Sequence, residues 1–327
     1  MDFLCLMVRK ADRVACRVET VSRDDLPAGD VLIEVASSSL NYKDALACRA
    51  HPGVVRDLPH VPGIDCAGHI VESTAAAFQP GQAVLVTGYD LGTTHWGGFA
   101  AYVRVPGEWV VPLPEGLSLE EAMTLGTAGF TAAQCVAALQ HHGIQPDQGE
   151  IAVTGATGGV GSLAVALLAK LGYQVAAITG KPEQTELLKK LGAAQILPRE
   201  AVQDASDKPL LRARWVAAVD TVGGDALAAL LRSITHRGCV AACGLAGGHD
   251  LSTTVYPFIL RGVTLAGIDS AQCPHDSRLQ IWQRLAGPWR LNVLHQLART
   301  ITLSEVPAEV DRMLAGKSVG RVLVRPE

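Results

Sequence analysis

Residues Ile151–Leu171 read IAVTGATGGVGSLAVALLAKL: an apolar strand, a glycine-rich turn and an Ala/Leu helix in succession. Against the dinucleotide pattern Gly-x-Gly-x-x-Gly, the small residues are Ala156, Gly158 and Gly161. Ala156 departs from strict glycine but is small enough for a tight turn. Gly158 and Gly159 let the backbone approach a pyrophosphate, and Gly161 lets the helix pack closely on the strand. The helix start adds free N–H groups and a partial positive charge. Glycines in such a turn can also serve packing alone, but strand, turn, helix and following strand are all in place, which favours cofactor binding.

The end of the following strand bears on which dinucleotide binds. A cofactor without a ribose phosphate usually meets an Asp or Glu about 20 residues beyond the turn. Here the chain has Ala177-Ile178-Thr179-Gly180-Lys181, which offers a hydroxyl and a cation and no carboxylate. Arg199, just after the third strand, is a second candidate cation. NADPH is therefore expected over NADH. The competing reading of Lys181 is a solvated lysine that starts a helix.

These groups need a framework. The first third reads as β structure, with strands expected at Val31–Ser38, Gln82–Thr87 and Phe99–Val105, separated by Gly and Pro. Such short strands suggest a small, mostly antiparallel barrel. Ser118-Leu119-Glu120-Glu121 is a capping box that opens a helix towards His141. Beyond it, strands are expected at Glu150–Gly155, Gln174–Thr179, Gln195–Pro198, Trp215–Asp220, Gly238–Gly244 and Val263–Gly267. Helices are expected at Gly159–Leu171, Pro182–Leu191 and Asp225–His236. Alternating units of this kind imply a parallel sheet covered on both faces. Val306–Ala315 reads as a helix and Gly320–Arg325 as a closing strand that returns to the first domain.

Composition agrees with a two-domain globular chain. Its 327 residues are 48% hydrophobic and 18% charged, which excludes a solvated disordered chain. Lys and Arg number 28 against 32 Asp and Glu, a net charge of −4, so no global positive charge holds nucleic acid or an anionic membrane. Cys5, Cys16, Cys48, Cys66, Cys135, Cys239, Cys243 and Cys273 form no Cys-x-x-Cys pair, and most sit in apolar runs. That usage points to a cytoplasmic, thiol-rich protein rather than a disulfide scaffold. Met1–Lys10 has no basic residue ahead of its apolar stretch, unlike a signal peptide. No apolar run is expected to approach the ~20 residues that span a bilayer.

Several segments together resemble the medium-chain dehydrogenase/reductase superfamily over essentially the whole chain. They are Ser39–Ala47 (SLNYKDALA), Pro62–Asp65 (PGID), His95–Gly98 (HWGG), Gly126–Thr131 (GTAGFT), Thr154–Ser162 (TGATGGVGS), Asp220–Gly223 (DTVG) and Val240–Gly248 (VAACGLAGG). Within the superfamily they are most similar to the zinc-free acryloyl-CoA reductase and quinone oxidoreductase group. The resemblance implies an α/β chain with a GroES-like β-barrel catalytic domain at residues 1–123 and 268–327. Residues 124–267 would form a Rossmann domain, a doubly wound parallel sheet that binds NADPH. It also implies a homodimer that acts on a small-molecule substrate, with no nucleic acid or membrane partner.

By the same resemblance, cofactor contacts fall on Tyr42, Thr157, Gly158, Gly159, Val160, Thr179, Gly180, Lys181, Arg199, Leu245, Ile259 and Ser270. Asn41, Tyr42 and Asp44 are the implied catalytic residues. Lys181 stands where an Arg is common, which keeps the charge and loses the bidentate fork. Metal-dependent cousins place a first zinc ligand near Asn41 and a Gly-His-Glu segment over Gly63-Ile64-Asp65, so thiol and imidazole are both missing and no metal is expected. The implied reaction is hydride addition to the β-carbon of acryloyl-CoA or another short enoyl-CoA. Asn41, Tyr42 and Lys43 then offer donors to charge developing on the thioester oxygen. Tyr42 can equally hold the nicotinamide by stacking, and Asp44 can cap a helix. His95-Trp96 reads as a cleft wall or a barrel corner. Quinone reduction with the same cofactor is the alternative. A non-catalytic NADPH-binding or RNA-binding module is a third reading, which Asn41, Tyr42 and Asp44 argue against.

Overall fold

Strand Val31–Ser39 organises the first part of the molecule because it packs apolar side chains on both faces, with only Glu34 and Ala36 exposed. Val31, Ile33 and Val35 join one apolar cluster with Cys66, Val84 and Val103, while Leu32 joins Phe3, Cys5 and Met7 on the other side. The structure is a computed structural model that describes residues 1–10 and 12–326. It divides into two units: Met1–Thr127 with Ala271–Gly287 and Leu294–Glu327, and Ala128–Ser270 with Pro288–Val293.

In the first unit a sheet runs in the order Ala298–Thr302, Arg321–Arg325, Val31–Ser39, Asp65–Ser73, Ala83–Thr87, Val111–Pro112, with Tyr102–Val105 also paired to Val31–Ser39. Its ladders are antiparallel apart from the parallel pair Ala298–Thr302 and Arg321–Arg325. The mostly antiparallel expectation therefore holds, and among the described residues the two ends of the ladder are not paired with each other. A hairpin of Asp2–Lys10 and Val14–Ser22 supplies the cover over Leu32. Sequence reading places no strand in this hairpin, because the second strand is only partly buried and carries no clean alternation.

The second unit is a six-stranded parallel sheet. Its order is Gln195–Pro198, Gln174–Thr179, Glu150–Val153, Trp215–Asp220, Ile234–Ala242, Thr264–Gly267. Counted from the first strand of this unit, that order is 3-2-1-4-5-6, the doubly wound arrangement expected from the βα alternation. Ligands in such sheets bind beyond the carboxyl ends of the strands at the point where the order reverses. Here that point lies between Glu150–Val153 and Trp215–Asp220, and the glycine-rich turn follows the first of them.

The helix expected at Asp225–His236 ends at Ser233, and Ile234 already has extended backbone and starts the next strand. Buried, β-branched Ile234 pairs with Trp215 in the sheet, which ends the helix earlier than its periodicity suggests. The helix Leu119–His141 is long and apolar enough to cross a membrane by length and composition, contrary to the expectation that no run approaches that length. It is a core helix: 78% of its apolar window is buried, and Gly126 breaks it with non-helical dihedrals. Its capping box is formed as expected, with Glu121 N donating to Ser118 Oγ at 3.1 Å and Ser118 N to Glu121 Oε2 at 2.9 Å.

Candidate active site

In the second unit the glycine-rich turn leaves the strand Glu150–Val153 and enters the helix Gly159–Lys170. Gly155 has φ +58°, a left-handed conformation that suits glycine. A Cβ on Gly161 would collide with the Gly155 carbonyl, so the close approach of helix to turn needs glycine there. Gly158 is the N-cap and makes no side-chain cap, so no side chain stands in for an anion at the helix start. Thr157 Oγ1 lies 3.2 Å from Thr179 Oγ1 and ties the turn to the end of the neighbouring strand.

The reversal point itself is pinned by Asp220. This buried carboxylate accepts from Thr154 Oγ1 at 2.6 Å and from the Gly223 amide at 2.8 Å. Burial pushes its carboxyl above the usual range, and those hydrogen bonds pull against it. Thr221 completes the link, its Oγ1 donating to the Thr154 carbonyl at 2.9 Å.

At the end of the strand Gln174–Thr179, the Arg199 guanidinium lies directly against Gly180, where any Cβ would collide with it. The Lys181 amide donates to Thr179 Oγ1 at 3.1 Å. Burial pulls the Lys181 ammonium below its ordinary value, with Glu183 acting in the opposite sense. The structure thus brings Thr179, Gly180, Lys181 and Arg199 together as two cations and a hydroxyl around one strand end. Leu245 and Ile259 lie in the same unit and are exposed at 60% and 68%. Ser270 ends the main span of that unit.

In the first unit, the polar residues after Val31–Ser39 converge on Asp65, which is fully buried. Asp65 Oδ2 accepts from Ser39 Oγ at 2.6 Å, Asn41 Nδ2 at 2.8 Å and the Thr127 amide at 2.9 Å. Its Oδ1 accepts from Thr127 Oγ1 at 2.5 Å. Asn41 is the N-cap of helix Tyr42–Cys48. Both hydrogens of its amide are engaged, the second with the Ser39 carbonyl at 3.2 Å, and its Oδ1 accepts from Arg321 at 3.1 Å. Asp44 Oδ2 accepts from the Asn41 backbone N–H at 2.8 Å, and its other oxygen accepts from the Ile64 and Gly63 backbone N–H groups at 2.8 and 3.1 Å.

Asp44 is buried, and this desolvation raises its carboxyl to about 7, helped by the nearby charge of Asp65 and opposed by the backbone hydrogen bonds. Tyr42 differs from its neighbours: it is 46% exposed at the first position of the helix, and Lys43 beside it is exposed as well. Of the other sequence candidates, His95 Nε2 meets the Arg104 carbonyl at 2.6 Å and its ring stands edge-on to Trp109, while Trp96 packs against the core around Phe3.

Sequence reasoning assigned no role to Ser39, Gly126, Thr127 or Arg321. Gly126 has φ +49°, and a Cβ there would lie 2.6 Å from both Asp65 Oδ2 and Ser39 Oγ and 2.9 Å from Arg321 Nη2. A bare glycine inside an otherwise helical run was the available signal for close backbone approach.

These residues do not fit a zinc ion of the kind bound by metal-dependent cousins. Asn41 and Ile64 replace thiol and imidazole, and both oxygens of Asp65 already accept from protein donors. Among the described residues no group of three or more His, Cys, Asp and Glu could hold a metal ion.

Comparison with known proteins adds the following. Residues 27–115 match the profile described as alcohol dehydrogenase GroES-like domain, and residues 159–286 match that of zinc-binding dehydrogenase. The chain is 45% identical to acrylyl-CoA reductase AcuI of Ruegeria pomeroyi, over 98% of either chain. It is 47% identical to the provisionally named quinone oxidoreductase YhfP of Bacillus subtilis, over 97% of this chain and 96% of that one. The yhdH oxidoreductase of Salmonella enterica, solved in complex with NADP, superposes over 100% of both chains with a TM-score of 0.96 and 47% identity. The Bacillus subtilis yhfP structure has NAD bound, and also matches with a TM-score of 0.96, over 99% of both chains at 46% identity.

Asp44 gives the first unit a pH signature. Its carboxyl ionises near 3.8 when unfolded and about 7 when folded, so between those values the folded chain holds a proton that the unfolded chain has released. Stability should therefore fall as pH rises through this window, by at most about 1.4 kcal/mol per unit. Denaturant unfolding from pH 4.5 to 7.5 should show a steeper fall in the wild type than in Asp44→Asn, which keeps only the slope from groups such as Asp220 and His60. Equal slopes would contradict the burial argument.

Proposed function

This chain belongs to the medium-chain dehydrogenase/reductase superfamily, and from that premise we propose that it reduces the carbon–carbon double bond of acryloyl-CoA, or another short enoyl-CoA, using NADPH. The observation that carries the cofactor is the Arg199 guanidinium laid over Gly180 beside Lys181, with no Asp or Glu among Ala177–Lys181. The substrate class rests on the relative named acrylyl-CoA reductase, which matches almost end to end.

Bound NADPH would supply the hydride. The chain's own residues do the rest. The uncapped helix start after Gly158 meets the pyrophosphate. Thr179, Lys181 and Arg199 grip the ribose phosphate. Tyr42, as the exposed aromatic of its segment, contacts the bound ligands, and its phenol and the Lys43 ammonium are donors for the charge that develops on the thioester oxygen. Asn41 and Asp44 act by position: the amide hydrogens of the first are engaged and the second is buried. The nucleotide tail of a CoA ester adds binding energy remote from the reacting atoms, which orients a small acyl group.

We also propose that the chain is a cytoplasmic homodimer. Its free cysteines fit a reducing compartment. The strand Thr264–Gly267 ends the second unit's sheet, and the nearby Val255, Tyr256, Ile259 and Leu260 are exposed at 63, 44, 68 and 54%. A sheet edge flanked by apolar side chains suits a second copy of the chain.

Three measurements follow. Lys181→Ala should weaken NADPH roughly ten- to 150-fold, the worth of a charged hydrogen bond, and NADH far less; equal loss would remove Lys181 from the ribose phosphate. NADPH oxidation with acryloyl-CoA, crotonyl-CoA and a quinone, compared by kcat/KM, should favour acryloyl-CoA. Much higher efficiency with the quinone would replace the thioester reading with that of the relative named for quinone reduction. Light scattering should give twice the 34.4 kDa chain mass for the wild type and the single mass for Leu260→Glu, and a wild-type monomer would overturn the dimer.

A further inference from the structure

Arg321 is the first residue of the strand Arg321–Arg325, and it is only 3% exposed. Its guanidinium reaches three consecutive residues. Nη2 donates to Ser39 Oγ at 2.8 Å, while Nη1 donates to Asn41 Oδ1 at 3.1 Å and to the Leu40 carbonyl at 3.4 Å. Nε donates to the Thr124 carbonyl at 2.9 Å. Ser39 and Asn41 thus stand between a buried cation and the buried carboxylate of Asp65, accepting from the first and donating to the second.

This arrangement fixes the sense of the Asn41 amide. Turning it over would set its NH2 against the guanidinium and its oxygen against the carboxylate, an unfavourable contact at each end. Asn41 is the N-cap of helix Tyr42–Cys48 and directly precedes Tyr42; with its side chain anchored at both ends and its backbone N–H held by Asp44 at 2.8 Å, the backbone from which Tyr42 starts is fixed. A planar fork meets these acceptors together, and the single ammonium of a lysine cannot.

We propose that Arg321 is a positioning residue for the reduction, acting through Asn41 to hold Tyr42 where it contacts bound NADPH. The proposal rests on the reductase reading above, and it assigns to the end of the chain a part in cofactor binding that no motif in the sequence suggests.

A double-mutant cycle tests it. The wild type, Arg321→Met, Tyr42→Ala and the double variant are compared by NADPH Kd, read from nucleotide fluorescence, and by kcat with acryloyl-CoA. Arg321→Met should weaken NADPH about tenfold in the wild-type background and less than about twofold once Tyr42 is gone. Effects that simply multiply would show that Arg321 does not act through Tyr42 and would overturn the proposal. Arg321→Lys keeps a buried cation and should fold, yet lose part of the affinity; full wild-type affinity would overturn the fork argument. If Arg321→Met does not fold, the same cycle with Arg321→Lys decides. A wild type that binds NADPH but reduces neither enoyl-CoA nor quinone would sink the acceptor reading alone, because the Kd cycle still decides Arg321. A wild type that does not bind NADPH would overturn both.

Discussion

The first unit depends on one buried arrangement of charge: the Asp65 carboxylate and the Arg321 guanidinium, joined through Ser39 and Asn41. Isolated, either charge would be strongly destabilising in the interior, and removing one partner of such a set typically costs about 3–5 kcal/mol. Burial pulls the Arg321 guanidinium below its ordinary value, and the negative charge of Asp65 holds it up, joined by Asp44 once that carboxyl ionises. Because the network draws on residues from Val31–Ser39, Asp65–Ser73, Arg321–Arg325 and the start of Tyr42–Cys48, satisfying it registers these elements against one another. Gly126 follows from the same constraint, since its backbone passes where a Cβ would strike three members of the network.

The second unit is organised differently. Its sheet reverses order between two strands whose ends are tied by Asp220, Thr154 and Thr221. The glycine-rich turn begins at this point, so the cofactor's phosphates would meet backbone held by the sheet rather than a free loop. One strand further out, the Arg199 guanidinium lies against Gly180, where there is no side chain, and this is the place proposed above for the ribose phosphate. A Cβ at that position would make the Arg199 guanidinium shift from where it lies now.

How much of this was legible in the sequence follows from how local each signal is. The dinucleotide turn was readable because its glycines answer contacts within a few residues, such as Gly161 against Gly155. The capping box at Ser118 and Glu121 was readable for the same reason. The charge network was not, because its members lie far apart in the chain. Arg321 lies in the expected closing strand Gly320–Arg325, where no local pattern marks it, and only the fold shows it buried. The half-exposed strand Val14–Ser22 gives no pattern, and the helix ending at Ser233 runs on in the reading because Ile234 suits either state until its pairing with Trp215 is known. Asn41 read as a donor for substrate, and nothing local tells that Asp65 and Ser39 engage its amide hydrogens.

The central claim is that Asn41 and Asp44 serve the reaction by holding Tyr42 and its neighbours, while the exposed groups meet the ligands. The most direct test is a crystal structure with NADPH and a non-reactive enoyl-CoA analogue bound, at a resolution that places the Asn41 amide. The account predicts that Asn41 stays bonded to Asp65, Ser39 and Arg321, and that Tyr42 touches ligand. An Asn41 amide turned out to donate to the thioester oxygen, with its bond to Asp65 broken, would contradict it.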